Sequence, residues 1–289
     1  MKIKRMADLN RRFAVSSIVG LIVAFLIAFS SNPVVGLLLV ICVAGIAGIG
    51  VWEYAQLAIA KELQPATNLM VLIAACEVIA FSASIIFVDF PQLPVLILAA
   101  GIVAFFLSHF RKPSNALLNV AVEFFGVCYV AVPLSFMLGI LFPVPHHGAM
   151  QEGRWWLVYL ILVTKVTDVG AYFVGRLWGK RKMTPVLSPL KTVEGAAAGF
   201  LCAILLSLGM AYIGNRFSQG SFDLKISESV WLGMLLGIFS QIGDLAESLL
   251  KRDALVKDSN TLPGLGGVLD MVDSLLLTAP IVYFFIRMH

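Results

Sequence analysis

Charge is scarce in this chain. Only 13% of its 289 residues are Asp, Glu, Lys or Arg and 60% are hydrophobic, whereas a soluble domain carries about a quarter charged and nearly half apolar residues. With a mean hydropathy of +0.93, an ordinary soluble domain is excluded. Long polar stretches are missing too, so no separate soluble domain is expected. Cysteine is sparse and unpaired: Cys42, Cys76, Cys128 and Cys202 each stand alone in a different apolar run. That spacing supports neither a disulfide framework nor a zinc site, and leaves small packing residues as the reading. The His146-His147 pair has no third ligand near it in sequence. The Gly175–Lys180 stretch lacks the spacing and final hydroxyl residue of a P-loop. A net charge of +4 gives no reason to expect a nucleic acid partner.

Apolar runs are what remain, and they recur along the whole length. Nine spans can be drawn, at residues 13–30, 34–51, 67–88, 93–110, 117–141, 155–176, 195–214, 229–250 and 273–287. The fold class expected is all-α, a polytopic integral membrane protein of about nine transmembrane helices. Residues 1–150 supply N-terminal helices and 151–289 a catalytic region of the same membrane domain. The charged start MKIKRMADLNRR resembles that of a signal peptide, but the run after it reaches Ser30 without an obvious cleavage site. It reads as a retained first helix. With the N-terminus in the cytoplasm, sixteen Lys and Arg fall on the inner side and four on the outer, Lys165 lying within a span. That bias fixes the orientation and puts the loops 177–194 and 251–272 on one side.

The scarce charge is concentrated. Ser240 to Ser274 reads SQIGDLAESLLKRDALVKDSNTLPGLGGVLDMVDS. Asp244 and Glu247, three apart, share a helix face, and Asp270 and Asp273 repeat the spacing. Hard carboxylate oxygens from two helix ends would hold Mg²⁺, which keeps positions open for water and phosphate oxygens. Lys251 and Arg252 can reach phosphate, the arginine as a fork and the lysine as a point charge. Pro263-Gly264-Leu265-Gly266-Gly267 would let backbone N–H groups approach an anion at the start of the last span. A solvated loop with ordinary helix-end charges is the competing reading.

A second cluster runs from Lys165 to Gly195. Asp168 lies inside an apolar run, where a carboxylate costs several kcal/mol unless it is paired or faces a polar cavity. A structural pair with Lys165 is the alternative. Lys180, Arg181 and Lys182 read as topology signal. Ser188, Lys191, Thr192 and Glu194 gather two hydroxyls, a cation and a carboxylate at the entrance of the seventh span, although Ser188 or Thr192 could instead cap that helix. Glu77 and Glu123, also within spans, either line a polar cavity or are protonated and bonded to a neighbouring helix.

Together these residues carry a resemblance. Ser248-Leu249-Leu250-Lys251-Arg252, Lys257-Asp258, Leu262-Pro263-Gly264, Gly266-Gly267, Asp270 and Asp273 resemble the signature of the phosphatidate cytidylyltransferase family, approximately S-x-x-K-R-x(4)-K-D-x(4)-P-G-H-G-G-x-x-D-R-x-D. Asp168, Ala171-Tyr172, Gly175-Arg176, Gly179-Lys180, Ser188-Pro189, Lys191-Thr192 and Glu194-Gly195 resemble the family's second block, and Gly243-Asp244 a third element. Two positions depart from the pattern. Leu265 stands where the family has histidine and Met271 where it has arginine. Each replacement removes a polar group able to touch phosphate or hold a carboxylate.

The resemblance implies transfer of CMP from CTP to phosphatidic acid, giving CDP-diacylglycerol and pyrophosphate in phospholipid biosynthesis. It assigns catalytic roles to Asp168, Asp244, Lys251, Arg252 and Asp270, and makes Asp244, Asp270 and Asp273 ligands of Mg²⁺, with a second metal ion also considered. Substrate binding falls to Ser188, Lys191, Thr192, Glu194, Lys257, Asp258, Gly264, Gly266 and Gly267. The partners it implies are CTP, phosphatidic acid and membrane lipid, with a homodimer suggested by the family. The expected place is the bacterial inner membrane, the site facing the cytoplasm. A CTP-dependent lipid or polyprenol kinase would use related polyanion chemistry. A secondary transporter coupling ions through Glu77, Glu123, Lys165 and Asp168 is a reading from another class, but no repeat relates the two halves.

Overall fold

In a bilayer a chain can satisfy its backbone within helices or a closed β-barrel, and long continuous apolar runs such as these suit helices. The computed structural model describes residues 20–86, 90–142, 144–146, 149–256 and 267–288. After a helical stretch at 20–28 come α1 (Pro33–Ala60), α2 (Thr67–Ile86), α3 (Leu93–His109), α4 (Ala116–Leu141), α5 (Gly153–Trp178), α6 (Val193–Phe217), α7 (Ile226–Asp253) and α8 (Val268–Met288). All except α3 are long and apolar enough to cross a membrane, and by that criterion the chain is an integral membrane protein. The 17 residues of α3 extend about 25 Å, short of a ~30 Å hydrocarbon core.

Each expected span from the second to the ninth contains one helix, but the ends differ. The first helix continues beyond residue 51 to Ala60, and α8 begins at Val268 rather than at 273. Hydropathy marks the part of a helix that matches the membrane, while polar turns beyond it remain helical. Residues 13–19 of the first expected span lie outside the described residues. Two small antiparallel hairpins, not anticipated, join the helices: β1 (Val144–His146) with β2 (Ala149–Gln151), and β3 (Lys182–Thr184) with β4 (Ser188–Thr192). All four cysteines are free.

Two apolar clusters form the core. One is built mainly from α1, α2 and α4, around Val51, Met70, Val127 and Val130. The other joins α5, α6 and α7 around Trp156, Tyr159, Leu160 and Leu236. Helix α8 enters both, giving Leu269 and Leu276 to the first and Leu275, Ala279 and Val282 to the second. Its first turn therefore sits where the two halves meet. Close approach of α5 and α6 depends on missing side chains: a Cβ on Gly195 would lie 2.6 Å from the Ala171 carbonyl oxygen.

Candidate active site

Three helix ends and one hairpin converge. The C-terminal parts of α5 and α7, the N-terminal part of α8 and the hairpin leading into α6 bring both charged stretches of the sequence together. Lys191 on β4 pairs with Asp244 on α7 at 2.7 Å. Arg252 donates from Nε to the Leu187 carbonyl at 3.1 Å, which fixes the hairpin turn to the end of α7. Glu194 accepts from the backbone N–H groups of Lys180 at 3.0 Å and Arg181 at 3.1 Å, so it holds the loop that carries those cations. Thr192 caps α6, its hydroxyl oxygen accepting from the Gly195 N–H at 3.1 Å. The capping alternative thus holds for Thr192. Ser188 opens β4 and pairs in register with Thr184.

Asp168 occupies the centre. Its carboxylate accepts from Ser240 Oγ at 3.2 Å and from Ser274 Oγ at 3.1 Å, with Lys165 Nζ at 3.7 Å. The pairing with Lys165 is present, but that lysine also donates to the Met271 carbonyl on α8 at 3.1 Å. Asp273, buried, accepts from the backbone N–H of Ser274 at 2.6 Å and lies 3.1 Å from the same Ser274 hydroxyl. One hydroxyl hydrogen cannot serve both Asp168 and Asp273 at once. Asp244 is near enough to Asp168, Glu247 and Asp273 for their charges to interact. The intimacy of α7 and α8 here rests on Gly243, whose absent Cβ leaves room for the Asp273 carbonyl.

Lys251 is held between Glu247, at 2.8 Å, and Asp270. Asp270 also accepts from the Gly267 N–H at 3.3 Å. The next two donors at the start of α8 are taken as well: Val268 N–H and Leu269 N–H donate to the two oxygens of Glu53 on α1, at 2.9 and 2.7 Å. The expected anion cradle at this helix start therefore meets the protein's own carboxylates. Lys257, Asp258, Gly264 and Gly266 lie outside the described residues.

In this cluster five carboxylates (Asp168, Asp244, Glu247, Asp270, Asp273) face three ammonium groups (Lys165, Lys191, Lys251), a formal excess of two negative charges. Hard oxygens, surplus negative charge and a hydroxyl shared by two carboxylates fit a hard divalent cation. Among the described residues, no three His, Cys, Asp or Glu side chains are gathered closely enough to hold one ion. Asp244 and Asp270 each turn to a lysine instead.

The intramembrane glutamates divide. Glu123 is bonded to His109 Nε2 at 2.8 Å and to the Ala66 N–H at 2.6 Å. Glu77, fully buried, lines a cavity of about 520 Å³ with Phe81, Tyr283 and Arg287. Sequence reasoning missed Glu53, because the drawn span stopped at residue 51; a carboxylate just beyond an apolar run was the available signal. It also gave no role to Ser240 and Ser274.

Residues 10–289 match the Cytidylyltransferase family. The chain is 33% identical over 285 residues to a phosphatidate cytidylyltransferase of Chlamydia pneumoniae, covering 96% of this chain and 92% of that protein. A phosphatidate cytidylyltransferase of Chlamydia muridarum is 42% identical over 168 residues, 57% of this chain and 54% of its own. One from Staphylococcus aureus is 30% identical over 236 residues, covering 74% and 86%.

Proposed function

The chain belongs to the cytidylyltransferase family, and on that premise we propose that it transfers CMP from CTP to phosphatidic acid. A phosphate oxygen of the lipid attacks the α-phosphorus of CTP, the bond from that phosphorus to the β-phosphate oxygen breaks, and pyrophosphate leaves as CDP-diacylglycerol forms. The observation that carries this reading is the convergence of the two charged stretches through Lys191 and Asp244. Both substrates are polyanions, so cations must neutralise and align them. Lys191, Lys251 and Arg252 are suited to hold phosphates, as is Lys257. Val186 and Leu190 expose apolar side chains on the hairpin beside Lys191, where the tails of a lipid substrate would lie.

Mg²⁺ is the proposed cofactor; Asp244, Asp270 and Asp273 would hold it, and Asp168 is the candidate for a second ion. When bound, it supplies charge neutralisation to the reacting phosphates. Binding requires Asp244 and Asp270 to exchange their lysine partners, which frees Lys191 and Lys251 to meet phosphate. About nine spans, an N-terminus in the cytoplasm and a site facing the cytoplasm of a bacterial inner membrane accord with the sixteen-to-four distribution of Lys and Arg. Assembly as a homodimer rests on the family alone.

The test is direct. Purified protein incubated with CTP, Mg²⁺ and phosphatidic acid is expected to release pyrophosphate and CDP-diacylglycerol in equal amounts. CDP as the nucleotide product indicates a lipid kinase instead, and unconsumed CTP refutes both.

A further inference from the structure

Helix α8 carries two of the proposed metal ligands, yet its beginning is fixed by a residue from the far end of the sequence. Glu53 is buried, on α1, and separated from Val268 by 215 positions. Its Oε1 accepts from the Val268 N–H at 2.9 Å and its Oε2 from the Leu269 N–H at 2.7 Å. The first N–H groups of a helix have no partner within it, and a carboxylate there is favoured by the helix dipole as well as by hydrogen bonding. A two-pronged acceptor does more than satisfy them. Bonds to two successive amides set both the position and the rotation of the first turn, which a single bond leaves free.

We propose that Glu53 is a positioning residue for the active site: by clamping the first turn of α8 it sets where Asp270 and Asp273 stand relative to Asp168 and Asp244. The same turn is held from two other helices, by Lys251 on α7 through Asp270 and by Lys165 on α5 through the Met271 carbonyl. Those two contacts come from cations that belong to the reaction centre and can change partners when phosphate arrives. The Glu53 contact comes instead from a buried side chain on α1, a helix of the apolar cluster built with α2 and α4. A consequence follows for phosphate binding. With Val268 and Leu269 N–H taken by Glu53, the triphosphate relies on the hairpin cations and lysines rather than on these two amides.

The inference rests on the proposed CMP transfer, and the experiment separates the two. Glu53→Gln keeps the shape but replaces one acceptor oxygen with an NH₂ donor, so one amide loses its bond and faces another donor. Glu53→Asp keeps the charge on a shorter arm. The clamp predicts that Glu53→Gln lowers kcat about 10- to 100-fold while KM for CTP and lipid changes little, as expected for a misplaced catalytic group. It also predicts a higher Mg²⁺ concentration for half-maximal activity, partly restored in Glu53→Asp. Independently of activity, hydrogen exchange at the amides of 268–273 should accelerate about tenfold or more, the rest of the bundle being unchanged. Wild-type kcat in Glu53→Gln, or exchange that rises evenly through all helices, overturns the proposal. A wild type that releases no pyrophosphate refutes the assigned reaction, and the local exchange at 268–273 still decides the clamp.

Discussion

Gly243→Ala probes the close approach of α7 and α8 in the site. Gly243 precedes Asp244 on α7, and a Cβ there would lie 2.5 Å from the Asp273 carbonyl oxygen and 3.1 Å from Ser274 Cα. A carbon–oxygen contact settles at about 3.3 Å, so the added methyl asks for a separation of about 0.8 Å more. The obstacle is backbone, which cannot swing aside as a side-chain tip would, and the load falls on the α7–α8 crossing. Overpacking of this kind costs about 1–3 kcal/mol, offset by about 1 kcal/mol because alanine is the better helix former. The variant should therefore fold. The proposed ligands on the two helices move apart, and a displacement near 1 Å costs about 100-fold in rate.

The assay is pyrophosphate release from CTP with phosphatidic acid and Mg²⁺, read beside thermal unfolding in detergent. Gly209→Ala is the control. It lies on α6, and a Cβ there meets nothing within 4 Å, so wild-type activity and equal or greater stability are expected. Activity of Gly243→Ala within about twofold of wild type would show that the crossing does not set the reacting geometry. An equal loss in both variants would refute the steric argument as well.

Three further outcomes are expected. Asp270→Asn should lower CDP-diacylglycerol formation by on the order of 10²–10³-fold without affecting membrane insertion; near-normal activity would remove Asp270 from the metal ligands. Lys191→Met and Asp244→Asn should each depress kcat/KM, and the double variant should fall short of their product by a coupling of about 1 kcal/mol. Full additivity would dissolve the pair as a unit. Lys165→Met should reduce activity about tenfold, and adding Met271→Arg should recover part of the loss, whereas no recovery would mean that the two positions do not exchange the same charge.

Much of the helical plan could be read from hydropathy because membrane thickness imposes a minimum apolar length. Helix ends could not, and the difference matters at α8. With a start at 273, Asp270 belongs to a loop; with the start at Val268 it is in the first helical turn, where Lys251 and the Gly267 N–H reach it. The motif residues were legible as types, but their partners were not. Nothing local in the sequence shows that Lys191 meets Asp244, or that Arg252 meets a carbonyl at Leu187. Glu53 was the least legible, since the groups it binds are backbone amides with no sequence signature. Thr192 had two compatible readings, and the hydrogen bond to Gly195 supplied the local one.

The departure at Met271 has a different meaning in three dimensions. The motif places an arginine on α8 between the two aspartates, and methionine brings no charge there. Lys165 enters from α5 instead: its ammonium lies 3.1 Å from the Met271 carbonyl and 3.7 Å from Asp168, and is close enough to Asp273 to attract it. A cation anchored on a neighbouring helix can thus occupy the region that a side chain from α8 would have supplied. Its cost is lower than that of an isolated intramembrane charge, because two carboxylates and a carbonyl receive it. Lys165 also remains partly exposed, so it can turn toward a phosphate while Ser240 and Ser274 keep Asp168 in place. Loss of the motif arginine therefore does not leave Asp168 and Asp273 without a counter-charge, and the substitution at 271 is compatible with a working transferase.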